Sequence, residues 1–221
     1  MAETTAQPPA AMSPDEEEAV YYHESALNSS WTGVRLALGA MSFLFGAFLF
    51  TFFYLKSLNS HHLWYTATSH PQSGFGVTIM VLIVVSAAVQ TLALQRIKAG
   101  SKAPWLAGAA LALVLGLVAI SLQLYQLAAL PFWPGSSGFA SVFVAYQPIF
   151  VTVVFCVLVW LEILIMRCRS IPEISFVEQP PTYAEAFAVQ RFQASLSAFT
   201  LVWNYLAVVA FLFWVLFYLV H

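Results

Sequence analysis

The chain of 221 residues is 61% hydrophobic and carries only 8% Asp, Glu, Lys and Arg, where soluble domains carry roughly 25% charged residues. Its net charge of -2 supplies no basic face, which excludes nucleic acid as a partner, and its few Lys and Arg are read as markers of membrane topology. A helix needs about 20 mostly apolar residues to cross a bilayer core; five stretches meet that requirement, predicting an all-α polytopic transmembrane bundle.

The first 30 residues, MAETTAQPPAAMSPDEEEAVYYHESALNSS, are acidic and poor in large apolar side chains, so they form a separate, partly disordered segment that cannot bury a core. They contain no Lys or Arg and therefore lack the positive start of a secretory signal. At Ser13, the run Ser-Pro-Asp-Glu offers a capping hydroxyl, a proline at the first helical position and Glu16 three residues after the cap, which predicts a short surface helix.

The five spans are expected at about 31–55, 75–94, 104–130, 140–166 and 195–220. The link between spans two and three holds Arg96, Lys98 and Lys102, and that between four and five holds Arg167, Arg169 and Arg191, whereas the alternate links hold only Lys56. The positive-inside rule then puts the basic links and the N-terminus inside and His221 outside. Arg35, one turn into span one, can snorkel back to the inner surface. Trp31, Trp105 and Trp160 near inner ends, and Trp64 and Trp133 near outer ends, read as interfacial anchors.

Helices in a bilayer gain little hydrophobic energy by pairing and pack through small residues instead. Span three carries Gly108, Ala112 and Gly116 at four-residue spacing, which predicts a close helix neighbour. In the long inner link, Thr182 and Glu185 form a capping box after a double proline and predict a helix that leads into span five.

Polar side chains at membrane depth need partners. The candidates are Gln90, Gln123, Gln126, Gln147, Glu162 and Asn204. Gln123 and Gln147 lie at similar depth on antiparallel spans, which makes an interhelical amide hydrogen bond the expected reading over a ligand site. Pro148 frees a carbonyl and is expected to bend span four. Glu162, the only carboxylate in a span, reads as a snorkelling structural group. His61, His62 and His70 share a loop, with His221 expected on the same side, but adjacent imidazoles rarely point at one ion and no thiolate or carboxylate joins them. Cys156 and Cys168 read as packing residues. The sequence shows no constellation for catalysis, no cofactor motif and no metal set.

Two longer patterns point further. The stretch WLAGAALALVLGLVAISLQLYQLAALPFWPGSSGFASVFVAY has Trp-Leu, a glycine in mid-helix, glutamines at 123 and 126 before the turn, then Gly-x-x-Ser-x-Phe; GAMSFLFGAFLFTFFYL and VWNYLAVVAFLFWVLFYL flank it in order. Together these resemble subunit III of the heme-copper oxidases, which serve cytochrome c or quinol in aerobic respiration, over roughly residues 33 to 220 and in the five-helix form. The departures run one way: Gln126 stands where the family has glutamate, Phe150 and Val153 where it has histidines, Asn204 for histidine and Ala207 for aspartate. The resemblance implies an accessory subunit of a respiratory electron-transport complex. Such a chain holds no cofactor itself, packs against the catalytic subunit that carries heme and copper and against other respiratory subunits, and holds phospholipids. It implies a prokaryotic cytoplasmic membrane, ahead of a mitochondrial inner membrane. A small transporter or channel, or an oxidase assembly factor, are the alternative readings.

Overall fold

A computed structural model describes residues 14–59, 64–65, 70–172, 176 and 183–220. Five α-helices and no strand occur among them: α1 (Pro14–Ser57), α2 (Ser73–Lys98), α3 (Lys102–Ala128), α4 (Gly138–Ser170) and α5 (Tyr183–Tyr218). Each is long and apolar enough to cross a membrane. The all-α, five-helix expectation therefore holds.

Helix ends differ from the expected ones in an instructive way. The short helix expected from Ser13 is instead the first part of α1, which runs unbroken for 44 residues. No glycine or proline falls between Asp15 and Thr32, so nothing interrupts the backbone ladder. At 1.5 Å per residue α1 is about 66 Å long, twice what a bilayer core of about 30 Å requires. The start of α5 at Tyr183 fits the helix expected after Thr182, although the cap itself lies outside the described residues. Pro148 sits inside a continuous α4.

The helices close a ring in the order α1, α4, α3, α2, α5, with α4 and α5 also in contact across it. Helices α4 and α5 each touch three others, and α5 has the most buried apolar stretch of the five. Helices α2 and α3 form the tightest pair, joined by residues 99–101. Gly100, at φ 84°, donates its N–H to the Ile97 carbonyl at 3.0 Å, and Ser101 donates to the Arg96 carbonyl at 3.0 Å; this paired closure of a helix end needs a left-handed residue, which glycine adopts without strain. Ser137 caps α4 by accepting the Ala140 N–H at 3.0 Å.

This topology gathers Arg96, Lys98, Lys102, Arg167, Arg169 and Arg191 at one end of the bundle, here the basic end. The other is filled by rings and is here the aromatic end. Phe45 and Phe52 of α1, Trp64, Phe139, Phe143, Tyr146 and Phe150 of α4, and Phe213 and Phe217 of α5 are all buried there. Tyr146 stacks on Phe213 at 4.2 Å between centroids, and Trp64 meets Phe52 edge-on at 5.0 Å, both favoured ring geometries.

Two of the expected tryptophan anchors are inside the protein instead. Trp105 is fully buried and Trp64 nearly so. Trp105 packs edge-on to Phe192 at 5.5 Å. Trp64 fits because Gly138 is bare, since a Cβ there would come within 2.9 Å of its ring. Trp133 is 79% exposed, as an interfacial residue should be.

The small residues of α3 serve two neighbours. A Cβ on Gly108 would lie 2.8 Å from Ala93 Cβ in α2, and one on Gly116 would lie 2.6 Å from Leu158 in α4. Ala112 between them is fully buried. The stripe thus lets α3 approach a helix on each side.

Candidate functional site

Polar contacts between helices fall into three layers. At the aromatic end, Gln123 Nε2 of α3 donates to Gln147 Oε1 of α4, the pairing expected from their depths. Gln126 Nε2, less than one turn further on, donates to Tyr218 Oη of α5 at 2.7 Å and lies 3.4 Å from the Gln72 carbonyl. Tyr218 reaches this position by lying over Gly76, where any Cβ would come within 2.2 Å of the phenol ring. Three helices and the chain preceding α2 are therefore joined through two amides.

The middle layer was not legible as a set. Ser86 Oγ of α2 donates to the Ala112 carbonyl of α3 at 2.8 Å and accepts from Trp203 Nε1 of α5 at 3.1 Å. One hydroxyl thus uses its donor and an acceptor lone pair to hold three helices together. The next layer, toward the basic end, joins Asn204 to α2: its Nδ2 donates to Thr91 Oγ1 at 3.1 Å, and Thr91 Oγ1 donates to the Ala87 carbonyl at 2.9 Å. Gln90 is fully buried, and both its amide atoms lack a partner among the described residues.

Glu162 and Arg35 do not join these layers. Both are exposed, Glu162 on an α4 face shared with Val159, Ile163 and Met166. Cys168 is buried as expected, but Cys156 is exposed. Among the described residues no group of three or more His, Cys, Asp or Glu side chains is placed to hold a metal ion. His61, His62 and His221 lie outside the described residues; the His70 ring meets Tyr65, with Oη 2.5 Å from Nδ1. Burial raises the Tyr65 pKa above that of an ordinary phenol.

Two lysines also do more than mark topology. Lys102 Nζ, from the start of α3, donates to the Ile171 carbonyl and lies 3.4 Å from that of Arg169, at the end of α4. Lys56 Nζ, from the end of α1, donates to the Val220 carbonyl just past α5. Each cation meets carbonyls that a helix end leaves without partners.

Among the described residues the bundle also opens in several places. Near the basic end, α1, α4 and α5 border an apolar cleft of about 640 Å³, lined by Gly33, Met41, Val153, Cys156, Trp160 and Val202 among others. Beside it, Arg167 of α4 and Arg191 of α5 border a pocket of about 310 Å³ with Ser170, Ser195 and an apolar floor from Leu164 and Phe192. A small cavity of about 40 Å³ lies at the aromatic end next to the Gln123–Gln147 pair.

Of the positions singled out in the sequence for their neutral residues, Gln126 and Asn204 are hydrogen-bonded, and Phe150 stacks on Tyr146 at 5.4 Å. Val153 borders the cleft and Ala207 is buried. All but Val153 are thus bonded or packed inside the bundle. Compared with known families and with curated proteins, the sequence matches no family model and no curated protein.

Proposed function

We propose that this chain is a non-catalytic, subunit III-like component of a respiratory terminal oxidase, which packs against the catalytic heme-copper subunit, holds phospholipid and stabilises the complex. The observation that carries this reading is α1. In α1, Leu36 (70%), Phe43 (86%) and Phe50 (70%) are exposed, and Gly33, Gly39 and Gly46 have nothing within 4 Å of where a Cβ would stand. Bare glycines add nothing to contact with lipid tails, but they let another helix approach closely. Aromatic side chains between such glycines are the kind of anchor a partner's surface engages. The ordered resemblance of spans one, three and five to the oxidase subunit supports this choice of partner.

The lipid role rests on the basic end. Arg167 and Arg191 present two guanidinium groups beside two serine hydroxyls, a donor set suited to a phosphate, and the adjoining cleft is wide and apolar enough for acyl chains. In this reading the basic end is cytoplasmic, the membrane is a prokaryotic cytoplasmic membrane, and heme and copper reside in the partner.

Purification of the tagged chain in a mild detergent, followed by a reduced-minus-oxidised spectrum and subunit stoichiometry, tests the reading. A one-to-one complex with a heme- and copper-bearing subunit is expected. Recovery of the chain alone, without heme, overturns it; retention only during biogenesis points to an assembly factor.

A further inference from the structure

The 40 Å³ cavity is lined by residues from all four of the helices α2 to α5. Gly76 and Met80 come from α2, Gln123 and Gln126 from α3, Tyr146, Gln147 and Phe150 from α4, and Trp214 and Tyr218 from α5. Three of these residues carry a polar atom shielded from solvent and without a partner among the described residues: Gln123 Oε1, Tyr146 Oη and Trp214 Nε1. Gln123 and Tyr146 are each 3% exposed. Leaving one such atom unsatisfied costs about 1–3 kcal/mol, so three around one void demand an occupant.

The chemistry of the three atoms selects it. Indole offers a donor only, a phenol offers both roles, and the amide oxygen accepts. Turning the Gln123 and Gln147 amides over together preserves their mutual bond and exposes an amide N–H in place of the oxygen. The site then still presents an unmet polar atom. Organic ligands occupy pockets of about 300–1,000 Å³, far beyond this space. A water molecule needs about 10–15 Å³ of such volume and two to four polar partners, whereas cavities that stay dry are apolar.

We infer that this cavity is a hydration site, holding about two ordered water molecules that bridge Gln123, Tyr146 and Trp214 and so complete the contact between α3, α4 and α5. The waters extend the amide layer: Gln123 is tied directly to α4 and, through water, to α5. The inference is independent of which complex the chain joins.

Water-edited solid-state NMR on the full chain in bilayers, with ¹⁵N-indole tryptophan, tests it. The Trp214 signal is assigned by its loss in Trp214→Phe. Magnetisation should pass from water to the Trp214 N–H nearly as fast as to that of exposed Trp133, and several-fold faster than to that of Trp203, whose N–H is bonded to Ser86. Tyr146→Phe removes an interior partner and should slow the Trp214 transfer several-fold. A Trp214 signal as silent as that of Trp203 overturns the site, and so does fast transfer unaffected by Tyr146→Phe, since that water arrives from outside the bundle. Should Tyr146→Phe not fold, the unmodified chain decides the matter under xenon pressure: xenon density in this cavity marks it as dry and overturns the inference, and its absence there alongside fast Trp214 transfer supports it.

Discussion

The most apolar stretches of α1 and α5 have almost the same mean hydropathy, yet 11% of that stretch is buried in α1, against 56% in α5. In water such a difference would be paid in exposed apolar surface, and the two helices would differ in composition. In a bilayer, lipid tails are as apolar as leucine, so hydropathy fixes that a helix crosses and says nothing about what it faces. What separates the two is detail: α5 carries Thr200, Trp203 and Asn204, whose polar atoms bond inside the bundle, while α1 turns bare glycines and phenylalanines outward. One helix holds the fold and the other is left for something else to cover.

The sharpest way to break this contrast is to truncate a large side chain on each helix. Trp203 is fully buried, stacks on Phe199 at 6.1 Å and donates to Ser86. Trp203→Ala should destabilise the isolated chain by about 3–5 kcal/mol, measured as unfolding in mixed micelles. Phe43→Ala on α1 should change the same measurement by less than about 0.5 kcal/mol and instead weaken recovery of the proposed partner subunit. Equal losses from the two substitutions would show that α1 is as much part of the core as α5.

Glycines give the next largest effect. Gly108 faces Ala93, whose Cβ is fixed to the backbone and cannot swing aside. Gly108→Val should therefore force α2 and α3 apart at a cost of about 1–3 kcal/mol. Gly39→Val has open space around it and should leave the isolated chain as stable as before, while blocking close approach of a second helix. A thermal-shift assay separates the two, and copurification reads the second effect.

These residues also show what the sequence makes legible. Five crossings, the pairing of Gln123 with Gln147 and the close packing at Gly108 and Gly116 follow from length, depth and spacing, which are properties of one helix or two. The Ser86–Trp203–Ala112 contact was hidden because it joins three helices, and no spacing along one of them encodes it. Trp64 and Trp105 were read as anchors because position along a span reports depth without reporting direction. Gln126 looked like a neutral remnant of an acidic position, and the structure adds a partner, Tyr218, more than ninety residues away.

The amide bridge should contribute less than either packing effect. Gln123→Leu removes its bond to Gln147 and leaves the latter amide without it. Interhelical hydrogen bonds in membrane proteins average about 0.6 kcal/mol and reach about 1.7 kcal/mol. A double-mutant cycle of Gln123→Leu with Gln147→Leu should return a coupling in that range, since the two amides share one bond. A coupling indistinguishable from zero would mean that the amides find equal partners elsewhere.

The smallest expected effect comes from a polar tie between the ends of the two helices compared above. Lys56, at the end of α1, donates to the Val220 carbonyl just beyond α5, where the partial negative charge of a helix C-terminus favours a cation. The contact is solvent-exposed, so salt screens it, and Lys56→Met should cost no more than about 0.3–1 kcal/mol at low ionic strength. In 1 M salt the difference should shrink toward zero, whereas Lys56→Arg should keep most of it. This tie acts at the aromatic end, far from the cleft that α1, α4 and α5 border near the basic end. If Lys56→Met instead loosens α1 throughout, seen as faster amide exchange from Gly33 to Met41, then α1 is held chiefly by its end, and its freedom along the cleft is set by that single lysine.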